Sequence, residues 1–114
     1  MTGVTLLYIT ASGPEEAERL GRTLVEERLA ACANIIPGMR SIYWWQGTLE
    51  TAAETVLILK TREELVAAAT GRVKALHSYS CPCVLSLPVA AGNPAYLQWL
   101  RDETRSAPPE GLTP

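Results

Sequence analysis

The sequence predicts an α+β fold of the ferredoxin-like split βαβ type, with one antiparallel four-stranded sheet and helices on one face. Two observations predict it. Short β-prone apolar runs and helical patterns follow one another in the order β-α-β-β-α-β-α. The chain has 114 residues, of which 47% are hydrophobic, which suits a single compact domain. We expect that domain to span 1–105, with a long hairpin near 42–56 and a flexible tail at 106–114.

The first strand and helix follow from local patterns. Val4–Ile9 is short, apolar and β-prone, which is typical of a buried strand. Ser12 and Glu15 have the spacing of a capping box, and Pro14 is tolerated in a first helical turn. The helix that follows has one apolar face, formed by Ala17, Leu20 and Leu24.

A hairpin is predicted in the middle of the chain. The segment 31–36 begins a strand, Pro37-Gly38 indicates a bulge on an edge strand, and 41–45 resumes the strand. Gln46-Gly47 is a plausible tight turn, after which 49–60 forms the partner strand.

The last elements repeat the pattern. Thr61 and Glu64 suggest a second capping box, before a helix whose apolar face comprises Leu65, Ala69, Val73 and Leu76. The segment 84–89 is the fourth strand, and Asn93 is expected to cap a short helix that carries Leu97 and Leu100.

Composition excludes several classes of protein. The net charge is −2 with no block of Lys or Arg, which argues against nucleic-acid binding. No apolar run approaches the length of a membrane span, and no secretory signal is expected at residues 1–9. Three cysteines without a disulfide-like spacing favour a reducing, cytoplasmic location.

The predicted sheet implies an oligomer. Both crossover helices belong on one face, so the apolar strands predict that the other face is buried against further subunits. The hairpin is long enough to pair with a neighbour by strand addition. A homotrimer is one closed arrangement that buries all three open faces.

The densest group of reactive side chains is the segment from His77 to Cys83. The only histidine lies within six residues of Cys81 and Cys83, and imidazole with thiolates is a ligand set for zinc or copper. Alternatively, both cysteines are small buried hydrophobes of a strand, and His77 stabilises a helix C-terminus.

Longer segments resemble the CutA divalent-cation tolerance family. They are Leu29 to Gly38, Ser41 to Gly47, Leu59 to Thr61, Val73 to Tyr79 and Leu87 to Leu100. The resemblance implies a very stable homotrimer of ferredoxin-like subunits that binds copper or other divalent ions, with no organic cofactor.

This chain departs from the family where metal ligands are concerned. The family has a pattern like His-Pro-Tyr-x-x-Pro-Glu, and the glutamate position is Cys83 here. A histidine doublet is not available, because Leu76 precedes His77. We expect metal ligands among His77, Cys83, Cys81 and Cys32, with a preference for Cu(I) or Zn over harder ions. Cys32 is alternatively a buried core thiol.

Other functions stay open at this level. Nitrogen-regulatory PII proteins share the trimeric architecture and bind nucleotides, although no Walker-type glycine loop occurs here. A structural or anchoring trimer is a further alternative. An enzyme is not expected, because the single histidine offers neither a Ser-His-Asp order nor a zinc-protease pair.

Overall fold

The computed structural model describes residues 2–106, and the order of elements agrees with the sequence prediction. The elements are β1 (Val4–Ala11), α1 (Pro14–Glu26), β2 (Cys32–Trp45), β3 (Thr48–Arg62), a 3₁₀ turn (Glu63–Leu65), α2 (Val66–Leu76), β4 (Val84–Pro88) and α3 (Pro94–Asp102). Within the described range, no helix has the length and apolarity needed to cross a bilayer. The predicted tail 106–114 lies outside the described residues except for Ser106.

The sheet has the order β2-β3-β1-β4, and every neighbouring pair is antiparallel. Leu7 in the centre of β1 faces Leu59 of β3 on one side and Ser86 of β4 on the other. In the first βαβ half, β1 and β2 are parallel and β3 lies between them. In the second half, β3 and β4 are parallel and β1 lies between them, as a split βαβ requires. The ferredoxin-like fold class is confirmed.

The local signals of the hairpin are also confirmed. The register of β2 against β3 shifts between Ile36 and Met39, where Pro37-Gly38 supplies the extra residues of a bulge. At the tip, Gln46 and Gly47 both have positive φ, 49° and 80°, as a tight primed turn requires. The hairpin extends beyond the sheet, because the pairing of β3 with β1 ends at Thr55.

The hydrophobic core lies between one face of the sheet and the helices α1 and α2. Fully buried members are Leu7, Ile9, Leu20, Leu24, Leu57, Leu59, Leu65, Ala69 and Val73. Helix α1 approaches β2 closely at Gly21, where an added Cβ would lie 2.9 Å from the Cβ of Ala33. The absence of a side chain at this position therefore sets the distance between helix and sheet.

The opposite face of the sheet, called the second face below, is covered at one end only. Lys60 and Arg62 project onto it, since they alternate with the core residue Leu59. Lys60 Nζ lies 3.2 Å from Tyr96 Oη and Arg62 Nε donates to Thr104 Oγ1 at 2.8 Å, so the chain at and after α3 lies over this end. Elsewhere, large apolar side chains of the second face are exposed, namely Ile36 (50%), Leu85 (58%) and Leu87 (49%).

The first predicted capping box is wrong. The N-cap of α1 is Gly13 rather than Ser12, and no side chain makes a cap hydrogen bond there. Glu16, one residue after the predicted Glu15, reaches back instead and accepts from the backbone N–H and the Oγ of Ser12, both at 2.9 Å. Residue spacing predicted a reciprocal contact here, but it was placed one residue too early.

The second predicted capping box is wrong for a tertiary reason. Thr61 belongs to β3, where it pairs with Thr5 of β1, and its Oγ1 donates to the carbonyl of Leu29 at 2.6 Å. The hydroxyl is therefore not available to cap the turn that follows. The third predicted cap is confirmed, because Asn93 Oδ1 accepts from the N–H of Ala95 at 3.1 Å.

Candidate metal-binding pocket

A concave pocket of about 510 Å³ opens on the second face, where the hairpin meets the segment between α2 and β4. We call it the hairpin pocket. Its lining consists of Thr10, Ser41, Tyr43, Trp45, Glu54, Tyr79, Ser80, Cys81 and Cys83. Strands β1, β2 and β3 supply one wall, and the segment that carries Cys-Pro-Cys supplies the other. The two cysteines that the sequence analysis singled out therefore lie together in one cavity.

Successive side chains of β2 point to opposite faces of the sheet, and this determines which aromatic residues of the hairpin reach the pocket. Tyr43 and Trp45 pair with Glu50 and Thr48 and project onto the second face, where they line the cavity. Trp44 projects the opposite way and is 72% exposed. The pleat of the strand therefore places neighbouring aromatic side chains of the hairpin on opposite faces.

Glu54 gives the pocket a negative charge. Its Oε2 accepts a hydrogen bond of 2.9 Å from Tyr79 Oη, and none of the ion pairs within residues 2–106 includes it. Burial, and then the nearby carboxylate, raise the pKa of Tyr79 to about 12. The same two causes raise the pKa of the Cys83 thiol above its ordinary value. A bound cation would remove the unfavourable interaction between the carboxylate and a thiolate.

His77 lies at the C-terminus of α2, as predicted, but its ring does not enter the pocket. Its Nε2 donates to the carbonyl of Thr10 at 2.8 Å, and its Nδ1 accepts from the N–H of Tyr79 at 3.0 Å. The side chain is completely buried. Both ring nitrogens are thus occupied, and the imidazole fixes the direction of the chain that leads to Cys81.

A buried carboxylate fixes the same segment from the other side. Glu16 Oε2 accepts from the N–H of Ser78 at 2.8 Å, while Oε1 holds Ser12 at the start of α1. Burial alone would raise the pKa of Glu16, but the hydrogen bonds from Ser12 and Ser78 outweigh it and lower the pKa to about 2. The side chain is only 7% exposed, so solvent screens this arrangement weakly. Glu16 thereby joins the N-terminus of α1 to the segment that carries the cysteines.

Cys32 lies apart from the pocket. It is the first residue of β2, on the second face opposite Lys60, whereas Glu54 is six positions earlier along β3. At the usual rise per residue, about 20 Å separate the two places. Cys32 is partly exposed rather than a fully buried core thiol.

The structure thus brings together Cys81 and Cys83 but neither His77 nor Cys32. Across residues 2–106, no group of three or more His, Cys, Asp or Glu side chains has the arrangement of a metal site. Sequence reasoning missed Glu54 and Glu16 as residues of interest. Glu54 lies on the same face of β3 as Val56 and Ile58, and only the neighbouring strands reveal that this face meets the segment that carries the cysteines.

Comparisons with known proteins agree in pointing to one family. Residues 5–103 match the family model described as CutA1 divalent ion tolerance protein. The chloroplastic protein CutA 1 of Oryza sativa subsp. japonica is 47% identical over 102 residues, which are 90% of this chain and 58% of that protein, so the chain spans little more than half of that relative's length. The divalent-cation tolerance protein CutA of Archaeoglobus fulgidus is 47% identical over 98 residues, which are 86% of this chain and 94% of that protein.

Solved structures agree with the sequence comparisons. The divalent cation tolerance protein from Thermus thermophilus has a TM-score of 0.87 at 45% identity, and the alignment covers 90% of this chain and 99% of that chain. The crystal structure of CutA1 from Oryza sativa has a TM-score of 0.87 at 46% identity, covering 92% of this chain and 98% of that chain.

Proposed function

The chain belongs to the CutA1 divalent ion tolerance family, and from this premise we propose that it binds metal ions as a homotrimer and thereby contributes to metal-ion tolerance. The observation that carries the proposal is the hairpin pocket, whose lining includes two thiols and a carboxylate, and none of the ion pairs within residues 2–106 includes that carboxylate. Relatives are named for divalent-cation tolerance, which agrees with a cation as the bound species. We propose no catalytic role and no organic cofactor.

The donor set of the pocket suits soft and borderline metals. Thiolates select copper and zinc ions, and a carboxylate adds charge without changing that preference. Glu54 is the only charged side chain in the pocket lining, so the pocket attracts cations electrostatically. We propose Cys81 and Cys83 as ligands that Glu54 supports, whereas metal roles for His77 and Cys32 stay predictions.

Exposed apolar side chains support the homotrimer. The hairpin extends past the sheet and exposes large apolar residues on the side away from the pocket, namely Ile42 (71%), Trp44 (72%) and Leu49 (56%). The second face exposes a further apolar group next to the pocket. Apolar surfaces on both sides of one projecting hairpin are typical of an element that packs against another subunit.

The nucleotide-binding alternative is less well supported by the pocket. A cavity of about 510 Å³ with aromatic walls has a size suited to small organic ligands. However, the carboxylate of Glu54 repels phosphate groups, and no basic side chain lines the cavity to offset it. A cation is therefore the ligand that the electrostatics favour.

The location remains a proposal of its own. All three cysteines are free thiols, which suits a reducing compartment such as the cytoplasm. Measuring the thiol content of the protein isolated rapidly from its native cells under alkylating conditions would test this, and a disulfide-linked majority would contradict it.

The proposed function is tested by assembly and by ion binding together. Native mass spectrometry of the full reduced chain is expected to show a trimer, and titration with Cu(II) and Zn(II) is expected to show saturable binding. A matched pair of variants, Glu54→Gln in the pocket and Glu50→Gln outside its lining, separates pocket binding from general surface attraction. A monomer, or ion binding that both variants weaken equally, would contradict the proposal.

A further inference from the structure

We propose that the hairpin pocket selects one monovalent soft cation, Cu(I) or Ag(I), which Cys81 and Cys83 hold between them as a two-coordinate thiolate site. The inference rests on the proposed function, because it concerns the same pocket, and it names the class of ion. It differs from the expectation that the family name raises, since that name refers to divalent cations.

The number of available ligands carries the argument. Structural zinc sites need four protein ligands, and catalytic zinc sites need three. No such group exists among residues 2–106, and the nearest imidazole, His77, has both nitrogens engaged by backbone groups. Monovalent Cu(I) and Ag(I), in contrast, form stable linear complexes with two thiolates. Cys81 and Cys83 line one cavity and are free, so a single subunit offers two thiols to such an ion.

The binding step balances in protons and involves no change of oxidation state. Each thiol gives its proton to solvent as its sulfur–metal bond forms, so one bound monovalent ion releases two protons and no electron is transferred. The bis-thiolate complex carries one negative charge, and Glu54 lies in the same lining. Glu54 keeps its hydrogen bond from Tyr79 and is not required as a ligand. Its charge is expected to strengthen the attraction for the cation without entering the coordination.

Aromatic walls complete the environment and provide a reporter. Tyr43 and Trp45 line the cavity, and aromatic faces attract desolvated cations while they limit access of water. Trp44 and Trp99 do not belong to the lining. Binding of a heavy monovalent ion in the pocket is therefore expected to quench Trp45 emission selectively. The variant Trp45→Phe removes that signal and leaves the thiols in place.

The experiment measures stoichiometry and affinity in the full, reduced chain. Ag(I) is added directly, and Cu(I) is delivered from a chromophoric Cu(I) chelator that competes for the ion. We expect one ion per subunit, and both Cys81→Ser and Cys83→Ser are expected to weaken binding by more than about 100-fold, a larger effect than changing a residue that only supports a ligand. Cys32→Ser is the matched control, because its thiol lies outside the pocket, and it is expected to bind like the parent chain.

Each other outcome overturns the inference. If each pocket variant halves the stoichiometry and leaves the remaining affinity intact, the two thiols bind ions independently. If Zn(II) binds as tightly as Cu(I) with the same dependence on both cysteines, the site is not selective for monovalent ions. Proton release separates a two-thiolate site from independent thiols, because two protons per Cu(I) are expected at a pH where both thiols are protonated, and one proton per ion would show that each thiol binds alone.

The two proposals fail in different ways. A trimer that binds Cu(II) or Zn(II) in a manner sensitive to Glu54→Gln, but holds Ag(I) without Cys81 and Cys83, overturns the selectivity and leaves the proposed function intact. Conversely, Ag(I) binding that needs both cysteines, in a chain that binds no divalent ion, overturns the divalent role and leaves the two-thiolate site.

Discussion

Replacing Glu16 with Gln tests the physical basis of the pocket wall. The Glu16 carboxylate accepts hydrogen bonds from Ser12 with one oxygen and from Ser78 with the other. A Gln side chain has one acceptor oxygen, and its NH₂ group would meet a backbone donor with another donor. Whichever way the amide is oriented, the backbone N–H of either Ser12 or Ser78 loses its acceptor, which weakens the connection between α1 and the segment leading to Cys81.

The magnitude follows from the pKa. The fall from the ordinary value of 4.5 to about 2 corresponds to about 3 kcal/mol of preferential stabilisation of the carboxylate in the folded state. A buried donor left without an acceptor costs about 1–3 kcal/mol, which agrees in size. We therefore expect Glu16→Gln to lower the free energy of unfolding by about 2–3 kcal/mol at pH 7. For a chain of this length, that change lowers Tm by roughly 10 °C.

The pH dependence has a defined sign. Because the pKa of Glu16 is lower in the folded state, its contribution is fully present above pH 4.5 and is lost as the pH falls towards about 2. The parent chain should therefore lose more stability than the variant across that interval. Below about pH 2, the difference between the two proteins should largely disappear.

Urea unfolding at fixed protein concentration, at pH 7, 4 and 2.5, measures these quantities, and a fixed concentration is needed because assembly shifts apparent stability. The matched control is Glu15→Gln, since Glu15 is its exposed neighbour in the same helical turn. Equal stabilities for the two variants at pH 7 would refute the account of Glu16. A Glu16→Gln effect that persists unchanged at pH 2.5 would show that the carboxylate charge is not its cause.

Four further changes have defined outcomes. Gly21→Ala is expected to lower the free energy of unfolding by about 1–3 kcal/mol, because the new Cβ would lie 2.9 Å from that of Ala33. Gly71→Ala, in α2 with open space around it, is expected to raise the free energy of unfolding by up to about 1 kcal/mol. If urea unfolding shows that both glycine substitutions change the stability in the same direction, the steric reasoning is disproved. Asn93→Ala should lower the free energy of unfolding by about 1 kcal/mol through loss of the α3 cap. An unchanged free energy of unfolding would show that the cap does not contribute to stability. Tyr79→Phe should remove one phenol that ionises with a pKa of about 12 from the alkaline absorbance titration, and an unchanged titration curve would show that this pKa belongs to another tyrosine.

Local signals predicted most of the fold because the residues concerned act within a few positions of one another. Pro37-Gly38 marks the bulge and Gln46-Gly47 the turn, since backbone conformation at these places depends on the residues themselves. Thr61 shows the limit of such reasoning. Its spacing to Glu64 fits a cap, but pairing with Thr5 draws it into a strand, and that contact lies far away in the sequence.

The pocket was predictable only in part for a similar reason. Cys81 and Cys83 are close in sequence to His77, and proximity along the chain suggested a common site. In the structure, His77 turns its ring nitrogens to Thr10 and Tyr79, because a buried polar side chain must find partners where the packing offers them. No pattern within one segment indicates which strand residue will face a loop that follows it by many positions, so Glu54 was found only in three dimensions.

Neighbouring tryptophans on β2 have one further consequence. Trp45 borders the cavity and Trp44 points to the opposite side of the hairpin, although a single peptide bond joins them. If the proposed function holds, substitutions at Trp45 are expected to affect ligand binding, and substitutions at Trp44 are expected to affect subunit contact. A chain that keeps only Trp44 or only Trp45 as its hairpin fluorophore would report each event separately, from probes that differ by one position along the same strand.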